Sequence, residues 1–440
     1  MTSRLPAKAT AAIERAAKPL DEVDALVERA GGADIVLIGE ASHGTHEFHE
    51  FRAGLTRRLI EEAGFRVVAL EADWPDALRV HAYASGRGND RSAEIALRDF
   101  RRFPTWMWRN TVMVEFVEGL KQWNRSSAGG GVGIFGMDLY SLHRSMDSVL
   151  EYLAKTDPAA AKRARNRYSC FDHFGADPQS YGYETSSGVS ESCEDDVVAQ
   201  LVELNHRRED LIRQDGALAG DEHFFAAQNA RLVVNAERYY RSMFRGRISS
   251  WNLRDEHMAD TLSELVRHFD HGRSKMVVWA HNSHLGDARA TEMGARGEWN
   301  VGQLMRERFA GRVFNIGFTT YTGTVTAARD WGDPAERRIV RPGLDGSCEA
   351  MFHESGLDRF WLDLRENNAA TELLGRNFLQ RAIGVIYRPE TERWSHYFEA
   401  SLSRQFDAVI HLDETRALGP LERDSVWDRE ELPETYPAGL

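Results

Sequence analysis

Glu40 and His43 stand three residues apart, and so do His281 and His284. A histidine next to a carboxylate is a pairing that activates water. The imidazole titrates near neutrality and takes the proton, while the carboxylate fixes its tautomer and raises its basicity. Glu71 adds a second carboxylate. Arg52, nine residues beyond His43, adds a fixed cation able to reach back to an anion or an oxyanion. The residues expected to carry catalysis are therefore His43, Glu40, Glu71, Arg52, His281 and His284. Glu40, His43, Glu71, His281 and His284 are also zinc- or manganese-ligand types. A divalent ion holding the attacking water is thus the alternative to a cofactor-free site. Arg52 tilts the choice towards the metal-free reading, because its charge opposes a cation. His46 and His49 follow His43 closely, and at least one is expected on the solvated surface.

Four further residues are expected to contact substrate. Asp138 follows an apolar run, although an acid there also serves as a helix N-cap. Arg254 has a blander alternative, capping and ion pairing with Asp255 at a helix start. Tyr181 and Tyr183 lie in a long polar stretch, residues 168–194, of the kind that forms lids and binding loops. The aromatics of Trp394-Ser395-His396-Tyr397 are expected in the core or at a rim.

These residues need a scaffold, and four short apolar runs supply it. Residues 34–39 lead into Glu40 and His43, 66–70 into Glu71, 133–136 into Asp138, and 275–280 into His281 and His284. Val/Ile-rich runs separated by helical stretches read as parallel strands buried on both faces. Open α/β sheets bind ligands at the carboxyl ends of their strands. The expected fold is therefore α/β, a mostly parallel central sheet flanked by helices. Helices are expected at 8–30, 46–63, about 74–125, 142–155, 194–215, 222–246 and 252–270. Strands are expected at 34–40, 66–71, 132–137, 275–280, 312–318, 359–364, 383–387 and 407–412. The Thr-rich segment 319–330 is expected to extend a strand or form a hairpin, and Gly129-Gly130-Gly131 to connect tightly into its strand. The chain divides into 1–141 and 272–440, two halves of the α/β core, and 142–271, a helical insertion forming a lid over the strand ends.

Composition bounds the function. With 68 acids against 55 basic residues the formal net charge is −13, and arginine is spread along the chain. No nucleic-acid footprint is expected, since that needs clustered basic residues. No apolar run suits a membrane span, and Met1–Leu20 lacks the apolar stretch of a signal peptide. A cytoplasmic protein acting on a small molecule is expected, with its oligomeric state open. Cys170, Cys193 and Cys348 are odd in number and far apart, which fits a reducing compartment and argues against a disulfide framework. There is no Gly-x-Ser-x-Gly elbow, Walker loop or Gly-x-Gly-x-x-Gly after a strand, so serine hydrolases of the α/β-hydrolase type and nucleotide binding have no support.

Gly39-Glu40-Ala41-Ser42-His43-Gly44, Arg52, Leu70-Glu71-Ala72 and Trp279-Ala280-His281-Asn282-Ser283-His284 together resemble the erythromycin esterase family, over residues 34–415. The resemblance implies hydrolysis of an ester or lactone by water, with no covalent enzyme intermediate. It makes His43 the general base, surrounded by Glu40, Glu71, Arg52, His281 and His284. Glu392–Tyr397 and Gln405–Ala408 look more like family relatives labelled succinoglycan biosynthesis protein than like the macrolide resistance esterases. A metal-dependent hydrolase using the same residues, and a non-catalytic binding protein of the same fold, are the alternatives.

Overall fold

The computed structural model describes residues 7–127, 131–174, 178–269 and 273–422. Its strands are β1 (Lys18–Pro19), β2 (Ile35–Ile38), β3 (Phe65–Asp73), β4 (Gly133–Asp138), β5 (Lys275–Trp279), β6 (Val313–Ala327), β7 (Glu336–Val340), β8 (Arg359–Asp363), β9 (Phe378–Arg381), β10 (Tyr397–Ala400) and β11 (Ala408–Thr415). Nine of these form one sheet in the order β1-β8-β11-β6-β2-β5-β3-β4, with β7 antiparallel to β6; β9 and β10 form a separate antiparallel pair. From β11 across to β4 every neighbouring pair is parallel. The fold is the expected α/β sheet flanked by helices.

The alternation of side chains along the central strands explains the layers. Val36, Ile38, Val68, Leu70, Val277 and Trp279 join one hydrophobic cluster with the helices His46–Ala63 and Thr111–Ser126. Ile35, Leu37, Val67, Ala69, Met276 and Val278 join another, with the helices Leu142–Thr156, Glu194–Ser242 and Arg247–His268. Both faces are covered, so these strands read as unbroken apolar runs. Helices of residues 142–271 therefore cover one face of β2, β5, β3 and β4, while the helices Ala7–Ala16 and Cys348–His353 pack on β8 and β11.

Several local expectations change. The helix expected at 8–30 is two helices, Ala7–Ala16 and Asp24–Gly31, separated by β1 at the sheet edge. Pro19 has no N–H to continue a helix and suits an edge strand. The helices expected at 194–215 and 222–246 are one helix, Glu194–Ser242. Gly216 and Gly220 each cost only about 1 kcal/mol of helix propensity and do not break it. Residues 383–387 form no strand: Ile383 and Ile386 make single bridges to Ser42 and Ala328. The Thr-rich segment lengthens β6 and turns back into β7. Of the expected glycine connector, residues 129 and 130 lie outside the described residues.

The cysteine reading is overturned. Cys170 and Cys193 form a disulfide, Cα atoms 5.9 Å apart, and Cys348 is free and buried. A turn of 3-10 helix at Ser169–Phe174 and the helix Pro178–Ser186 fold the chain back, so 23 residues of sequence separation become a short distance. No helix among the described residues is long and apolar enough to cross a membrane.

Candidate active site

β2, β5, β3 and β4 lie side by side and parallel, so their carboxyl ends deliver His43, His281 with His284, Glu71 and Asp138 to one edge. The turn after β2 is tight enough to demand glycine. A Cβ on Gly39 would collide with the Asn282 side chain, and one on Gly44 with the backbone of Thr326. The register between β3 and β4 shifts between Leu70 and Asp73, a bulge that re-aims the strand end carrying Glu71. Together these ends floor a cleft of about 440 Å³, lined among others by His43, Glu71, Asp138, Arg254, His281 and His284.

Arg52, Glu40 and His43 form a chain running outward to the cleft. Arg52 Nη2 donates to Glu40 Oε2 over 2.7 Å, and His43 Nδ1–H donates to Glu40 Oε1 over 2.9 Å. Glu40 and Arg52 are wholly buried. Burial raises the Glu40 carboxyl, but the charge of Arg52 and the hydrogen bond from His43 outweigh it, holding it at about 2. Glu40 thus stands behind His43 as a permanent anion, not beside it in the opening. His43 Nε2 has no hydrogen-bond partner among the described residues and belongs to the cleft wall. His49, fully buried, accepts from Arg52 at Nε2, and burial pulls it down to about 3. His46 is the solvated member of the trio.

Glu71 and Arg254 form the opposite half. Arg254 donates to both oxygens of Asp138 (2.9 and 2.8 Å) and to Glu71 Oε1 (2.8 Å). Burial raises the Glu71 carboxyl, yet His284, Arg254 and His43 hold it well below its ordinary range. Its other oxygen accepts the His281 backbone N–H at 2.9 Å. The His281 ring lies 4.8 Å from that of His43. Its Nδ1 accepts from the Ser283 backbone N–H, which leaves the proton on Nε2, and Nε2 is buried without a hydrogen-bond partner. Burial, then the neighbouring His43, lowers His281 to about 3, so it is neutral.

All six residues expected to be catalytic converge, together with Asp138 and Arg254. Tyr181 and Tyr183 do not join them. Tyr181 is fully buried, donates to Glu237 at 2.6 Å and accepts the Cys193 backbone N–H. Tyr183 is exposed, edge-on to Phe244. Neither lines the cleft, because the segment around them is a helix docked on Glu194–Ser242, not an open loop. Asp255, Asp73, Asp76, Arg102 and Trp251 are site residues missing from the expectation. Asp255 binds His284 Nδ1 at 2.9 Å, and Trp251 stacks on the His284 ring at 4.6 Å. Asp73 pairs with Arg102; burial and Asp73 together push Asp76 up to about 7. Asp73 and Asp76 flank Trp74-Pro75 just after the strand run ending at Glu71, a placement that would have found them. Trp394 and His396 line the cleft, Trp394 at its exposed rim. Among the described residues no group of three or more His, Cys, Asp or Glu side chains has the geometry to hold a metal ion.

The family model described as erythromycin esterase matches residues 60–415. YbfO of Bacillus subtilis is 22% identical over 428 residues, 91% of this chain and 90% of that protein. Erythromycin esterase type II of Escherichia coli is 22% identical over 422 residues, 90% of this chain and 93% of that one. The crystal structure of a succinoglycan biosynthesis protein shares the fold with a TM-score of 0.74 at 21% identity, covering 94% of this chain and 98% of that one.

Proposed function

Because this chain belongs to the erythromycin esterase family, we propose that it is a hydrolase that cleaves an ester or lactone with water activated by His43. The observation that carries this reading is the Arg52–Glu40–His43 chain ending in a free Nε2 at the cleft. The ionised Glu40 holds the Nδ1 proton, so the lone pair of Nε2 is left for a proton from water. As that proton transfers, the water oxygen attacks the carbonyl carbon, and Glu40 balances the imidazolium that forms. The attack places negative charge on the carbonyl oxygen. His281 Nε2–H, buried and unpartnered, is a preorganised donor for that charge. Collapse breaks the bond to the leaving oxygen, which takes up a proton while His43 releases the one it holds, giving acid and alcohol, or a hydroxy acid from a lactone. No serine is required. The name of the Escherichia coli relative points to a macrolide lactone as one candidate substrate.

The test is a panel of alkyl esters, aryl esters, macrocyclic lactones and amides, incubated with the native protein and with His43→Ala, products identified by mass. Turnover of esters or lactones by the native protein alone is expected. Amide cleavage without ester cleavage, or equal turnover by both proteins, would overturn the assignment.

A further inference from the structure

The cleft holds a second histidine–carboxylate pair. His284 Nδ1 lies 2.9 and 3.0 Å from the two oxygens of Asp255, and both residues are buried. Asp255 is itself fixed, since Oδ1 accepts the Val301 backbone N–H at 3.0 Å. With Nδ1–H directed to Asp255, the other ring nitrogen faces the charged floor of the cleft. There Nε2 lies 3.1 Å from Arg254 Nη1 and 3.4 Å from Glu71 Oε1. Neutral, it accepts from the guanidinium; protonated, it donates to the carboxylate. The same nitrogen therefore has a partner in both proton states, and the stacked Trp251 indole holds the ring plane.

We propose that Asp255 is a positioning residue that orients His284 as the general acid of the hydrolysis, so that two histidine–carboxylate pairs, Glu40–His43 and Asp255–His284, divide base and acid between them. This rests on the hydrolase reading above. The cycle balances. His43 Nε2 takes one proton from the attacking water. When the carbon–oxygen bond of the tetrahedral intermediate breaks, the leaving oxygen takes the proton from His284 Nε2. His43 then returns its proton to solvent and His284 regains one, leaving only water added across the ester. The charged and titratable groups facing His284 are Asp255 and Arg254 from the helix Arg247–His268, Glu71 from β3, and His281, the N-cap of its own short helix Asn282–Leu285. Burial opposes charge on the ring, but Asp255 and Glu71 raise it above its ordinary range, which suits an acid.

The experiment uses Asp255→Asn, which keeps the shape and an acceptor oxygen for Nδ1–H while removing the charge. Alkyl esters need their leaving oxygen protonated, whereas nitrophenyl esters expel a stable phenolate. The expected result is a fall in kcat of about a hundredfold for alkyl esters, with a loss at least roughly tenfold smaller for nitrophenyl esters. Equal losses for both, or no loss, would overturn the proposal. A second measurement needs no variant and no substrate: nitrogen-15 NMR of labelled histidine in the native protein. Neutral His284 is expected to carry its proton on Nδ1; a proton on Nε2 would overturn the proposal even where Asp255→Asn fails to fold. Absence of any ester turnover by the native protein would instead refute the hydrolase reading.

Discussion

Replacing Glu40 with glutamine removes a single charge from a closed space and leaves Arg52 buried without its anion. The carboxyl falls from 4.5 in the open chain to about 2 in the fold. At about 1.4 kcal/mol for each tenfold change in proton affinity, that difference is worth ~3 kcal/mol of folding stability. The independent expectation for removing one partner of a buried ion pair is about 3–5 kcal/mol, so the two routes agree. The depressed value also sets the pH window. The contribution is fully present above 4.5 and is lost as pH falls towards about 2, because the unfolded chain takes up the proton first. Denaturant unfolding of the native protein and Glu40→Gln at pH 7 should therefore differ by ~3 kcal/mol, and the gap should narrow as pH drops below about 4.5. The variant should also lose turnover, since a neutral amide in place of the carboxylate cannot balance an imidazolium at His43. A gap below about 1 kcal/mol at pH 7, or one unchanged by acid, would refute the reasoning that Glu40 is the ionised centre of the chain.

Three other perturbations probe Arg254, Tyr181 and the need for a metal. Arg254→Gln leaves Glu71 and Asp138 without their shared cation and should cost about 3–5 kcal/mol in denaturant unfolding; a loss under about 1 kcal/mol would show that the carboxylates are not held by Arg254. Tyr181→Phe should cost about 2–4 kcal/mol for its two lost hydrogen bonds, one of them to the Glu237 carboxylate, while leaving kcat/KM unaltered, and a marked loss of activity would return Tyr181 to the substrate. Turnover should survive exhaustive chelation; loss restored by zinc or manganese would make Glu40, His43, Glu71, His281 and His284 ligands and a metal-bound water the nucleophile.

Apart from Arg52 and Arg254, which lie within helices, the parts of the site that were legible in the sequence share one property: each stands just after an apolar run. Strands buried on both faces cannot hide in a polar background, and the parallel arrangement forces their carboxyl ends to one edge. That is why Glu40, His43, Glu71, Asp138, His281 and His284 could be grouped without coordinates. Asp255 escaped because a charged residue within a helix has the sequence appearance of a surface ion pair, and only packing of the helix Arg247–His268 on the sheet brings it to His284. Asp73 and Asp76 escaped because β3 runs three residues beyond its apolar stretch and passes straight into the helix Trp74–Ala84. Tyr181 misled for the opposite reason. A polar segment with aromatics describes a lid and equally a short helix whose tyrosine is sunk against its neighbour, and Cys170–Cys193 ties that segment down. The disulfide was invisible because pairing depends on distances in space that an odd count of cysteines does not report.

The central claim is that His43 takes the proton from water, and steady-state kinetics of His43→Gln on the best ester or lactone of the panel tests it most directly. Glutamine can still hydrogen-bond Glu40 but has no basic nitrogen. A kcat lowered by about a hundredfold or more is expected, with KM and thermal unfolding near those of the native protein. Turnover close to native in a folded His43→Gln would contradict it and place the base elsewhere, with His284 the next residue to examine.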